Sequence, residues 1–453
     1  MGDSAYVASV HPQEPLFAAI NQGYACNQSI TAINSSWEAK KMKAPSQNRT
    51  QSTQSSAQLA FATRNYARQR RAHVLCLLFL ACLTGPAFCE EQIHPTLAIG
   101  AKAPDFCLPG IDNRTHCLKD YAGSKVLVIV FTCNHCPTAQ LYESRIKQLA
   151  ADYHDRGVAL VAIEPNSPKA VLLGEMGYTD VGDSFEDMKI RAAYRHFNFP
   201  YLYDGETQAA SRDYGPTATP HVFVFDAERK LRYEGRVDNN LRPSLVTIHD
   251  TRDAIEALLA NQPIPVAKTP SVGCSTKWLY KVEAQKAELS EIEAQPVDVK
   301  LASTDDLKSL RKNSTGKLEL VTFWATWCAP CVEEFPKIET MYRMYGQRAF
   351  DLVTVSINYP DEKVPVLALL KKQHATSQNF VFGSTDIYSM IAAFEGQWDG
   401  AVPYTLLISS TGEVLYRHHG SIDPLEVKRL IIANIADDGY TGHRAYWEDS
   451  QKQ

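Results

Sequence analysis

The sequence lacks an apolar run long enough to cross a bilayer. The nearest, Val74-Leu-Cys-Leu-Leu-Phe-Leu-Ala-Cys-Leu83, holds about ten residues, where a spanning helix takes roughly 20. A basic stripe interleaved with aromatics is missing as well. Lys and Arg total 46 against 51 Asp and Glu, and the net charge of −5 argues against a nucleic-acid-binding protein. Cysteine is too sparse for a disulfide scaffold, with 11 in 453 residues, yet more plentiful than a reducing compartment favours. What is present is a globular composition, 45% apolar and 21% charged, in a chain long enough for two or three domains.

The N-terminal part differs from the rest. Residues 1–66 contain Ser46-Gln-Asn-Arg-Thr-Gln-Ser-Thr-Gln-Ser-Ser56, a composition that buries too little surface to fold, and read as a low-complexity, disordered extension. Residues 67–89 carry Arg68, Arg70 and Arg71, then the apolar run, then small residues at Ala87 and Cys89. This is the layout of a secretory signal, cleaved or kept as an anchor, and the positive-inside rule places the chain after Glu90 outside the cytoplasm. The competing reading, a buried core helix, has no foldable segment around it. Export fits the cysteine usage. After Cys89 come Cys107, Cys117, Cys133, Cys136, Cys274, Cys328 and Cys331. Cys107 and Cys117 flank a turn-rich stretch, where a structural disulfide and two unrelated residues of a hairpin fit equally well. The odd count leaves one thiol over, and Cys274 is the natural remainder, a candidate relay thiol or a buried spare.

Two short cysteine pairs carry the chemistry. One reads Val126-Leu-Val-Ile-Val-Phe-Thr-Cys133-Asn-His-Cys136-Pro137, the other Leu318-Glu-Leu-Val-Thr-Phe-Trp-Ala-Thr-Trp327-Cys328-Ala-Pro-Cys331. In each, an apolar β-branched run predicts a buried strand and an amphipathic helix comes next. A Cys-x-x-Cys at that junction sets its first sulfur at a helix N-terminus, which stabilises the thiolate, the nucleophile of disulfide exchange. Cys133 and Cys328 are therefore the expected nucleophiles, with Cys136 and Cys331 resolving the mixed disulfide. His135 is expected to lower the pKa of Cys133 and make its pair the more oxidising; Pro330 brings no charge, so the second pair is expected to be the more reducing. Zinc also uses paired Cys-x-x-Cys, but each pair here lies in its own domain, and the strand–helix setting weighs against it.

Strands are expected at 126–131, 158–163 and 221–225, and helices at 139–153, 185–196 and 251–260. The pattern repeats with strands at 318–324, 350–357, 404–408 and 414–418 and helices at 331–345, 364–373 and 424–435. Strands alternating with helices argue for an α/β fold. The expected organisation is a first domain at 95–278, a helical linker at 279–296, a second domain at 297–440 and a polar tail at 441–453.

Both domains resemble the thioredoxin superfamily. Phe323-Trp-Ala-Thr-Trp-Cys-Ala-Pro-Cys331-Val-Glu-Glu334-Phe-Pro336 resembles the TlpA-type thiol–disulfide oxidoreductases. Ala103-Pro-Asp-Phe106, Phe131-Thr-Cys-Asn-His-Cys-Pro137, Tyr201-Leu-Tyr-Asp204, Thr219-Pro220-His-Val-Phe-Val-Phe-Asp226 and Gly273-Cys274-Ser-Thr-Lys-Trp278 resemble the redoxin (AhpC/TSA, peroxiredoxin-like) branch. The resemblance implies a central mixed β-sheet flanked by helices in each domain. It also implies cis-prolines facing the sulfurs, at Thr219-Pro220 and Val402-Pro403, and a Trp327 beside the second pair. Positions three before Cys133 and Cys136 hold Val130 and Cys133, so the peroxide-binding threonine of true peroxiredoxins is missing.

The function expected is dithiol–disulfide exchange outside the cytoplasm, with protein thiols and disulfides as partners, a membrane thiol reductant among them. Membrane contact is expected only through the N-terminal segment, and no nucleic acid, metal or other cofactor beyond the cysteine pairs. Two rivals are a thiol peroxidase in domain one recharged by domain two, and a redox-sensing or metal-chaperone module. On a short helical linker, the two sites are expected to exchange electrons directly.

Overall fold

In the computed structural model, residues 94–436 are described; the expected extension, the signal or anchor segment at 67–89 and the polar tail lie outside them. Among the described residues, no helix is long and apolar enough to cross a membrane.

Domain one opens with a hairpin of β1 (Cys107–Pro109) and β2 (Thr115–Cys117), in which Cys107 lies opposite Cys117 and is disulfide-bonded to it. Then come β3 (Val126–Phe131), α1 (Pro137–Tyr153), β4 (Val158–Glu164), α2 (Phe185–Arg195), β5 (Tyr201–Tyr203) and α3 (Ala209–Tyr214). The domain continues with β6 (Ala218–Thr219), β7 (His221–Phe225), β8 (Leu231–Gly235), α4 (Asp250–Leu259) and β9 (Cys274–Ser275). The main sheet has the order β5-β4-β3-β7-β8, parallel through β3 and antiparallel beyond it. Every residue of β3 is buried because side chains alternate between two covered faces. Val126, Val128 and Val130 meet Tyr142, Ile146 and Leu149 of α1 and Ile255 of α4; Leu127, Ile129 and Phe131 meet Phe106, Ala210 and Tyr214. Each such side chain contributes roughly 1.5–3 kcal/mol.

Domain two repeats the plan. After α5 (Val282–Glu293) come β10 (Lys300–Ala302), α6 (Thr304–Lys312), β11 (Leu318–Trp324), α7 (Ala329–Tyr345), β12 (Phe350–Ser356) and α8 (Lys363–Lys372). The rest is β13 (Gln378–Phe382), α9 (Ile387–Phe394), β14 (Tyr404–Ile408), β15 (Val414–His419) and α10 (Pro424–Asn434). The sheet order is β10-β13-β12-β11-β14-β15, with β11 parallel to β12 and antiparallel to β14. Leu318 and Leu320 face Ile338 and Tyr345 of α7 and Ile431 of α10, while Val321 and Phe323 face Met390 and Phe394 of α9.

The domains are joined by a packed interface. Leu141, Leu173, Met176 and Tyr194 of domain one sit against the core of domain two. The Tyr345 hydroxyl, at the end of α7, donates to the Thr179 carbonyl at 2.7 Å, and Arg348 donates to Gly177 O at 2.9 Å. Asp180 is fully buried between Arg191 at 2.9 Å and Arg429 of α10 at 2.8 Å. The expected linker helix is docked as well: Glu288 of α5 accepts the Leu173 N–H at 2.8 Å. Cys328 caps one end of the 17-residue α7, and Tyr345 at its other end makes the contact with domain one. A helix of that length sets Cys328 about 25 Å from Tyr345.

Candidate active sites

In domain two the turn after β11 delivers Cys328 to the cap of α7, where its sulfur accepts the Cys331 N–H at 3.3 Å. Pro330 lies in the first turn, where its missing N–H breaks no helical bond. Cys328 and Cys331 are disulfide-bonded. The Val402–Pro403 peptide is cis, and Cys328 Sγ lies 3.6 Å from the Val402 carbonyl. Trp327 is 65% exposed beside this pair, at the rim of a cleft of about 270 Å³ that Asn358, Tyr359, Phe382 and Met390 also line.

Domain one is built differently. Its helix begins at Pro137, so the capping sulfur belongs to Cys136, which accepts the Ala139 N–H at 3.5 Å. Cys136 also accepts the Cys274 backbone N–H at 3.3 Å and donates to the Thr219 carbonyl at 3.4 Å, with Cys133 and Cys274 packed around it. Cys133 Sγ lies 3.1 Å from Thr219 Oγ1, next to the cis Thr219–Pro220 peptide. Cys133, Cys136 and Cys274 are all free thiols.

These contacts reverse the expected acidities. Burial, the hydrogen bond to Cys136 and the nearby Asp183 charge push the Cys133 thiol well above its ordinary range. Burial opposes ionisation of Cys136 too, but the Cys133 and Cys274 thiols, the His135 charge and the Ala139 N–H outweigh it and hold Cys136 well below. Cys136 and not Cys133 occupies the helix cap, where helix N–H groups favour negative charge on sulfur, and its thiol also lies 3.4 Å from the Thr219 carbonyl, to which it donates. The sequence reading put the helix start at 139 and the capping sulfur at Cys133; the helix starts at Pro137 and Cys136 caps it.

His135 is fully buried rather than surface-poised, and its Nδ1 lies 2.5 Å from Asp183 Oδ2. Asp183 also accepts the backbone N–H groups of Asn134 and His135 at 3.0 and 2.9 Å and the Asn166 amide at 2.8 Å. Burial works against both charges, but each offsets the other's penalty: the His135 pKa is raised and the Asp183 pKa lowered. Behind them, burial and the Asp183 charge hold Glu164 well above the carboxylate range, and Tyr201 donates to it at 2.9 Å. Cys133, His135 and Asp183 offer ligand atoms within 4.8 Å of one another, the one such group among the described residues. Hydrogen bonds already engage the carboxylate, the imidazole Nδ1 and the Cys133 sulfur. Asp183, Asn166 and Glu164 were not singled out from sequence. Glu164 ends β4, and Asn166 and Asp183 lie between β4 and α2; only folding brings them to the cysteines, and the one local hint was the polar Asn134-His135 pair inside the motif.

The AhpC/TSA family model matches residues 99–234 and the Redoxin model residues 285–430. This chain belongs to the thioredoxin superfamily. It carries two such domains in tandem. Among its relatives, the thioredoxin-like protein YneN of Bacillus subtilis is 33% identical over 18% of this chain, which spans 48% of YneN. The thiol-disulfide oxidoreductase ResA of Geobacillus thermodenitrificans is 26% identical over 35% of the chain and is covered over 82% of its length. A solved uncharacterized conserved protein of Geobacillus kaustophilus is 37% identical, with TM-score 0.36, over 41% of this chain and 94% of its own.

Proposed function

We propose that this superfamily member is an extracytoplasmic thiol–disulfide oxidoreductase with two dithiol sites. The observation that carries the reading is the pair Cys328–Cys331 at a helix cap, set against the cis Val402–Pro403 peptide. In the reduced form the helix terminus favours the Cys328 thiolate. That thiolate attacks one sulfur of a partner disulfide and displaces the other as a thiolate. Cys331 then attacks Cys328, releasing the partner's second thiolate, so two electrons pass from the pair to the partner. The exposed Trp327 and the unpaired approach to Val402 suit an extended peptide substrate, and relatives named thiol-disulfide oxidoreductase support this chemistry.

On this reading the cysteine pairs are the only redox cofactor and no metal or flavin takes part. The partners are protein thiols and disulfides, including a membrane thiol reductant, and residues 67–89 supply the export signal or anchor. The test is a full chain carrying Cys331→Ser, incubated with a disulfide-bonded peptide. A reducible peptide adduct on Cys328, absent when Cys328 is also Ser, is the expected result; no adduct at Cys328 refutes the assignment.

A further inference from the structure

The two cis-proline edges are used differently. In domain two no strand among the described residues lies against Val402, whereas in domain one β9 pairs antiparallel with β6, placing Cys274 opposite Thr219 and Ser275 opposite Ala218. The chain's own strand thus occupies the edge where an extended substrate would dock. The fit is close: a Cβ on Gly273 would lie 1.9 Å from the Thr219 carbonyl oxygen, so only glycine lets the strand seat there. Downstream the strand is fastened, with the Lys277 N–H on Asn166 Oδ1 at 2.8 Å, the Thr276 hydroxyl on Pro216 O at 2.8 Å, and Trp278 buried. Upstream it is open, with Val272 58% exposed.

Accessibility separates the three thiols. Cys133 and Cys136 are 2% and 0% exposed, while Cys274 is partly exposed. Cys136 is central: its sulfur accepts the Cys274 N–H, and Cys133 and Cys274 pack against it. Resting on the dithiol-exchange reading above, the geometry points to Cys274 as the thiol through which domain one meets a partner, with Cys136–Cys274 as the working disulfide and a protein dithiol as the substrate. A peptide-borne dithiol fits better than a small thiol because β9 has no strand on its other edge among the described residues, which leaves a backbone ladder for an extended segment.

In the transfer step a partner thiolate attacks Cys274 Sγ and the Cys136–Cys274 bond breaks. Its electron pair leaves on Cys136, where the Ala139 and Cys274 N–H groups receive it. The better-stabilised thiolate is the better leaving group. The partner's second thiolate then attacks its own sulfur in the mixed disulfide, forms the partner disulfide and releases Cys274, which takes up one proton. The partner loses two electrons and two protons; the other proton goes to solvent. Cys133 stays against Thr219 as a positioning thiol.

The full-length protein, equilibrated in an oxidising dithiol buffer, alkylated and digested with trypsin without reduction, decides this. Cys133 and Cys136 fall in one peptide, residues 126–145, and Cys274 in another, residues 269–277. A dominant disulfide-linked pair of these two peptides is expected. A looped 126–145 peptide with alkylated Cys274 overturns the inference and leaves dithiol exchange standing. Three alkylated thiols beside an oxidised Cys328–Cys331 pair overturn both for domain one. As a functional arm, Cys274→Ser in the full chain is expected to abolish disulfide transfer from domain one to a dithiol peptide while domain two still exchanges; unchanged transfer from domain one counts against the proposal.

Discussion

Replacing Asp183 with Asn probes the group that organises domain one. The carboxylate accepts four hydrogen bonds: two backbone N–H groups on Oδ1, and the His135 imidazole and Asn166 amide on Oδ2. An Asn side chain keeps one carbonyl oxygen for the backbone donors but presents an NH₂ where His135 and Asn166 donate. The loss is then one charge-assisted hydrogen bond, about 1.5–3 kcal/mol, and one neutral bond of about 1 kcal/mol, together roughly 2.5–4 kcal/mol in local opening. At about 1.4 kcal/mol per power of ten, exchange of the backbone amides in the 134–139 segment is expected to accelerate by two to three orders of magnitude. Hydrogen–deuterium exchange of the full chain at fixed pH measures it. The pH profile supplies a second check. The depressed Asp183 pKa contributes stability present above its unfolded value of about 3.9 and lost as pH falls through the folded value. The raised His135 pKa contributes stability present below about 6.5 and lost as pH rises through the folded value. The pair therefore stabilises most between about pH 4 and 6.5, and the Asn variant is expected to lose that maximum. An acceleration under about fivefold, with the maximum kept, would refute the account of Asp183 as the organising acceptor.

Asp180→Ala leaves Arg191 and Arg429 facing a vacated buried position and is expected to destabilise the chain by about 3–5 kcal/mol in urea unfolding; Arg429→Ala, whose side chain is 25% exposed, is expected to cost less. Gly273→Ala cannot seat β9 against Thr219, so the Cys136–Cys274 cross-link is expected to fall sharply while Cys328–Cys331 oxidises normally, as read by the same peptide mapping. Selective reduction of domain two in the intact chain is expected to reduce domain one no faster than mixing separate molecules does, because α7 holds Cys328 about 25 Å from its Tyr345 contact with domain one; a clear tethering advantage in stopped-flow kinetics counts against this expectation. Stopped-flow with hydrogen peroxide is expected to give domain one a rate near that of a free thiol, since Cys133 stands three residues before Cys136 where a hydroxyl donor is needed.

The strands and helices with strong apolar periodicity were legible from sequence alone, and so were the paired cysteines and the two X-Pro sites. A buried β3 or β11 advertises itself by composition, because both faces of the sheet must be apolar. The elements that were missed lack that signature. In α6 only Leu307 is buried, and the helix is held by the Ser303–Asp306 capping box, a local signal that was there to read. In β13, Gln378 and Asn379 interrupt the apolar run, and pairing with β12 and β10 makes it a strand. The sequence by itself determined that two strand–Cys-x-x-Cys–helix units stand in tandem, since the residues that specify each lie within a few positions of one another. The tertiary structure decided which sulfur caps the helix, that Asp183 clasps His135, that Cys274 reaches Cys136 through a strand paired on Thr219, and that the domains dock through Asp180 and Tyr345. The last three depend on contacts between residues 40 or more apart along the chain, whose burial and distance no local pattern encodes.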